Sequence, residues 1–240
     1  MILLINNQTF SADPPPKNPE LSSAAVSGCL NLKRALRVLG MPFYEVSCYG
    51  ISHEVLDPKG KIFKSITGVI ISGSLMKLST LVNDISKYVH VLHYLQAFPH
   101  VPIFGLCFGA QLLVVLYGGF IFDNLEYTCK MAPVEVLANH KLFRLNDPRS
   151  KKSTKTKRRI SKRATTQAPS NKRVLIDGKF CFSDIPIVTN RHVKPIAWVR
   201  GNTSTLPVAF EFERGRVYGS MFHPEHSENT YYILKNIFSR

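Results

Sequence analysis

The chain has 240 residues, 45% of them hydrophobic, and a formal net charge of +15. That is enough apolar material for one well-buried domain spanning 1–240. No apolar stretch reaches the roughly 18 residues that cross a membrane, and no basic N-terminal region leads into a signal core, so a soluble cytoplasmic protein is expected.

In chain order, Met1-Ile2-Leu3-Leu4-Ile5-Asn6 is strand-like, and Asp13-Pro14-Pro15-Pro16-Lys17-Asn18-Pro19 predicts a loop. Ala24 to Leu39 predicts a helix, with Val26, Leu30, Leu32, Leu36 and Leu39 on one face and Lys33, Arg34 and Arg37 on the other. Strands are expected at 43–47, 67–72 and 101–106. A second helix is expected from Val82 to Ala97, where Ile85, Val89, Leu92 and Leu95 share a face. Ala110 to Tyr117 predicts a third helix, stopped by Gly118-Gly119. Beyond 120 the strand candidates shorten: Met131 to Leu137, Pro195 to Val199, Leu206 to Phe212, then Arg216 to Phe222. Strands alternating with helices imply an α/β fold, a mostly parallel sheet flanked by helices, with a smaller antiparallel portion after it. Such sheets place their sites beyond the strand C-termini.

The charge is concentrated. Between Arg149 and Arg173 stand eleven Lys or Arg and no acid, so the remainder of the chain carries only +4. This stretch, about 148–173, lacks apolar periodicity and predicts a disordered surface insert. Three uses fit it: a solvated spacer, a nuclear-import or polyanion-binding patch, and a dock for an acidic partner. It contains no aromatic residue on which bases could stack. The five cysteines (29, 48, 107, 129 and 181) form no disulfide-like pattern, which fits a reducing compartment. No C-x-x-C or histidine cluster predicts a metal site, and no P-loop or dinucleotide fingerprint predicts a cofactor.

Two clusters carry chemistry. In Gly105-Leu106-Cys107-Phe108-Gly109 a cysteine stands where a buried strand must turn into a helix, and its flanking glycines remove side chains that would collide there. A helix N-terminus favours the thiolate, the form that attacks, and the same turn offers the Phe108 N–H to an oxyanion. More than a hundred residues later, Phe222-His223-Pro224-Glu225 supplies a base and an acid. In an extended segment, residues two apart point the same way, so Glu225 could orient His223.

Gly105-Leu106-Cys107-Phe108-Gly109-Ala110-Gln111 resembles the G-x-C-x-G-x-Q signature of class I glutamine amidotransferases, and Phe222-His223-Pro224-Glu225 resembles their F-H-P-E signature. Val69-Ile70-Ile71-Ser72-Gly73-Ser74 is similar to their oxyanion strand, and the helix at 231–238 looks like that of the glutamine-hydrolysing part of GMP synthase. The resemblance implies a flavodoxin-like fold and hydrolysis of glutamine through a Cys107–His223–Glu225 triad and a thioester. It places the oxyanion hole at Gly73, Ser74 and Phe108 and a substrate contact at Gln111. No cofactor is implied, and ammonia would pass to a synthase on a separate chain, such as a GMP, anthranilate or aminodeoxychorismate synthase. Departures from the pattern are Ser74-Leu75 where relatives have Gly-Pro, Met221 where they have Gln, and Phe182-Ser183-Asp184-Ile185-Pro186 where they have an S-H-G-D segment. A gamma-glutamyl hydrolase and a catalytically impaired interaction module are the alternatives.

Overall fold

The computed structural model describes residues 1–7, 19–48, 50–74, 78–81, 89–145, 173–188, 191–200, 205–212 and 215–239. The chain opens with β1 (Ile2–Asn6), α1 (Pro19–Val38) and β2 (Phe43–Ser47). Short helices α2 (His53–Leu56) and α3 (Lys61–Ser65) precede β3 (Gly68–Ile71). After α4 (Leu78–Leu81) and α5 (Val89–Ala97), β4 (Ile103–Leu106) runs almost directly into α6 (Phe108–Leu116). Four strands follow, β5 (Phe120–Leu137), β6 (Arg173–Ile187), β7 (Lys194–Arg200) and β8 (Thr205–Glu211), then β9 (Val217–Ser220) and α7 (Tyr231–Phe238).

Among the described residues the strands form one nine-stranded sheet in the order β2-β1-β3-β4-β9-β8-β7-β5-β6. From β2 to β9 every pairing is parallel, and from β9 outward every pairing is antiparallel. Every residue of β1, β3, β4 and β9 is buried, so side chains alternating between the faces find cover on both. One such cover is α7: a Cβ at Gly68 would lie 2.4 Å from the Phe238 ring. The antiparallel part has fewer strands but longer ones, and it curls back. Phe180 of β6 bridges to Phe222, and the His223 N–H donates to the Lys179 carbonyl at 2.8 Å.

This topology positions the site. Leu106 and Ser220 end neighbouring parallel strands in register, so β4 and β9 deliver Cys107 and His223 to the same sheet edge. Several expectations are revised. Pro19 opens α1 instead of closing a loop, because a first helical position needs no N–H and suits proline's fixed φ. The second predicted helix is described over Val89–Ala97; its start at 82–88 lies outside the described residues, as do the rest of the proline loop (13–18) and the basic insert apart from Arg173, which opens β6. β5 begins eleven residues before the predicted Met131, and β6 has no counterpart among the predicted strands. Lys179, Asp177 and Gly178 interrupt its apolar pattern because β6 is the outermost strand of the sheet order and Asp177 and Leu175 face solvent. Among the described residues no helix is long and apolar enough to cross a membrane.

Candidate active site

Cys107 occupies the corner between β4 and α6 with φ 47° and ψ −105°, the one non-glycine residue with positive φ among those described. A side chain held there is strained by about 1–3 kcal/mol and persists only where its surroundings impose it. Three contacts impose it here. The Cys107 N–H donates to the Ser220 carbonyl at 2.7 Å, and the Cys107 carbonyl accepts from the Gln111 N–H at 3.0 Å, the first hydrogen bond of α6. The helix also lies against the sheet backbone to backbone: a Cβ at Gly109 would fall 2.3 Å from the Ile71 carbonyl oxygen, and one at Gly105 would fall 2.5 Å from that of Gly109. Only glycine fits at either place, which is the physical content of the G-x-C-x-G pattern. The thiol side chain is buried at the head of the helix, where the peptide dipoles favour negative charge.

His223 arrives from β9. His223 Nδ1 lies 2.7 Å from Glu225 Oε1, and both side chains are buried. The pair is not extended as expected: Pro224–His226 forms a 3-10 turn with Pro224 at its start. Proline's fixed φ suits that first position, and the tight turn folds Glu225 back onto the ring. The Thr230 hydroxyl closes the turn by donating to the Pro224 carbonyl at 2.7 Å.

Gly73 joins the two clusters. A Cβ built on it would sit 3.5 Å from Cys107 Cβ and 3.6 Å from His223 Cε1, so its backbone borders thiol and imidazole together. The loop is anchored from β1: the Asn7 N–H donates to Ser72 Oγ at 2.9 Å, and Asn7 Nδ2 donates to the Ser72 carbonyl at 2.7 Å. Ser74 follows, partly buried. Phe108 is the first residue of α6, where a backbone N–H points out of the helix end.

Burial alone would lower the proton affinity of His223. The Glu225 carboxylate and the neighbouring Cys107 outweigh it, and the ring's pKa is pushed up to about 10. His223 Nε2 has no nitrogen or oxygen partner. It is the ring atom left to exchange a proton with sulfur. The next histidine behaves oppositely: burial, reinforced by the charge of His223, pushes His226 down to about 4 against the pull of Glu225.

The family model for class-I glutamine amidotransferases matches residues 26–240. The chain belongs to this family. It is 29% identical over 189 residues to the glutamine-hydrolyzing GMP synthase of Wigglesworthia glossinidia brevipalpis, a match that covers 77% of this chain and 31% of that protein. The chain thus spans about a third of that relative's length. A candidate GMP synthase subunit from Thermoplasma acidophilum has the same fold, with a TM-score of 0.63 at 18% identity, covering 99% of this chain and 91% of that one. PurLQS of Thermotoga maritima gives 0.57 at 15% identity, covering 98% and 95%.

Gln111 is buried, and its Nε2 donates to the Asp184 carbonyl at 3.0 Å. Asp184, in the segment compared above with S-H-G-D, is thus brought against Gln111. Asp184 is fully buried and accepts from the Ser79 N–H at 2.9 Å and the Ser79 hydroxyl at 3.0 Å, tying β6 to α4. Sequence reasoning does not find Asn7, Ser79 or Ser220. Ser220 has a faint signal, as a small polar residue ending an otherwise apolar strand. It holds Cys107 through its carbonyl, and its hydroxyl donates to the Phe222 carbonyl at 2.6 Å. Nothing local marks Asn7 or Ser79, because their partners lie 65 and 105 residues away.

Proposed function

We propose that this chain is a glutaminase that releases ammonia from the glutamine side chain for a separate synthase. The observation that carries the reading is the meeting of a strained, helix-capping Cys107 with the His223–Glu225 pair across the bare backbone of Gly73. The Cys107 thiolate attacks the amide carbon, forming the C–S bond while the C=O electron pair moves to oxygen. Backbone N–H groups of Gly73 or Ser74 and of Phe108 hold that oxyanion. His223, carrying the thiol proton, delivers it to the departing nitrogen, and ammonia leaves a thioester. Water then attacks the thioester with His223 as base, the C–S bond breaks, and glutamate departs. Glu225 keeps the ring oriented and stabilises its charged form. Gln111, its Nε2 held by the Asp184 carbonyl, helps to place the substrate through its amide oxygen. A thiol nucleophile of this kind works in reducing surroundings. The GMP synthase relative supports a GMP synthase as the acceptor, since it carries the matching segment within a longer chain, of which the match covers 31%.

The test is mass spectrometry after treatment with diazo-oxonorleucine, a glutamine-like electrophile, paired with ammonia release from glutamine. The expected adduct is on Cys107, and it disappears in His223→Ala. An adduct elsewhere, or turnover of gamma-glutamyl peptides with none of glutamine, overturns the proposal.

A further inference from the structure

Beside the nucleophile stand three metal-ligating side chains, of which the chemistry above uses two. One ligand atom each from His223, Glu225 and His226 lie within 4.8 Å of one another. The His223 and His226 rings meet edge to face, with centroids 5.4 Å apart and planes at 89°. His226 makes one weak outward contact, its Nδ1 lying 3.4 Å from Asn31 Nδ2. Glu225 is 2% exposed, yet its Oε2 is buried with no hydrogen-bond partner. A buried carboxylate oxygen without a donor is unfavourable, and a cation is one way to satisfy it.

We propose that His223, Glu225 and His226 form an inhibitory binding site for a borderline divalent transition ion, with zinc as the representative. Two imidazoles and one carboxylate are a zinc donor set, and three protein ligands leave a fourth position for water. Calcium and magnesium, which select oxygen ligands, are excluded by the same chemistry. Ligand atoms around tetrahedral zinc stand about 3.3 Å apart, given bonds of about 2.0–2.1 Å, so the cluster closes by small side-chain rotations. His223 Nδ1 already faces the Glu225 carboxylate at 2.7 Å, and the ion displaces the hydrogen there as the carboxylate turns its partnerless Oε2 toward it.

Inhibition follows from the ring's two nitrogens. Coordination at Nδ1 uses that nitrogen's lone pair, so the proton of the neutral ring sits on Nε2, and Nε2 becomes a donor only. It can then no longer take the Cys107 proton. Inhibition as such rests on the glutaminase reading above, whereas binding of the ion does not.

Zinc is titrated into the metal-free full chain in competition with a chromophoric chelator, using wild type, Cys107→Ser and His226→Asn. One equivalent is expected in wild type and in Cys107→Ser. In His226→Asn the affinity falls by more than about tenfold, since loss of a supporting partner alone costs about 10–100-fold. Undiminished binding in His226→Asn, or loss of binding in Cys107→Ser, overturns the site and places the ion on the thiolate. Should a variant not fold, cobalt added to wild type decides: visible bands without thiolate-to-metal charge transfer support the site, and a charge-transfer band overturns it. In the activity assay, zinc inhibits wild type, while His226→Asn keeps basal turnover and resists. A chain that takes up one zinc through His226 but never hydrolyses glutamine would refute the glutaminase reading and leave the site standing.

Discussion

At residue scale, the charge of His223 is set by burial against the Glu225 carboxylate, with Cys107 assisting the carboxylate. Desolvation disfavours the ring's proton, and Glu225, helped by Cys107, restores it, because a charge 2.7 Å away in a water-poor site acts more strongly than the hydration that was lost. A raised folded-state pKa stabilises the fold fully below the unfolded value of about 6.5, and the contribution is lost as pH rises through the folded value of about 10. Wild type should therefore lose stability between about pH 6.5 and 10, and Glu225→Gln should lose much less over the same interval. Urea midpoints at four pH values in that interval measure it; parallel curves for the two proteins would refute the coupling. The pairing of His223 with Glu225 is legible in the sequence because the two stand so close along the chain, although the turn that joins them looks there like extended chain.

At the scale of elements, the corner between β4 and α6 is held by the absence of side chains. The 2.3 Å gap at Gly109 ends on a carbonyl oxygen of β3, which cannot rotate away as a flexible side chain could. Gly109→Ala should therefore destabilise by more than the about 1–3 kcal/mol of ordinary overpacking, read as a fall in urea midpoint or a loss of soluble protein. A midpoint within error of wild type would mean that α6 can lift off the sheet. The glycines, the apolar strands and the helix stop are local signals, so the parallel half of the fold is visible from sequence. β6 is not, since a strand with one exposed face tolerates Arg173, Asp177 and Lys179, and its identity comes from its partner β5. The Gln111–Asp184–Ser79 connection is equally hidden, because it exists only after three distant elements have met.

At the scale of the whole molecule, one continuous sheet among the described residues joins the parallel and antiparallel halves through β9, with a buried apolar cluster running through both. Such continuity predicts one cooperative transition. The chain's single tryptophan, Trp198, lies in β7 of the antiparallel half, whereas α1, α5, α6 and α7 supply most of the helical signal. Tryptophan fluorescence and far-ultraviolet circular dichroism should then report the same urea midpoint. Fluorescence changing first would show that the antiparallel half opens alone.

Gly73 separates two properties that mutations usually damage together. Its backbone is not in the left-handed region, and a methyl group there would make only ordinary contacts with Cys107 and His223. Alanine at this position therefore leaves the fold intact while occupying the space between Cys107 and His223. Gly73→Ala should keep the wild-type fold and lose turnover, checked by an unchanged urea midpoint alongside lost ammonia release.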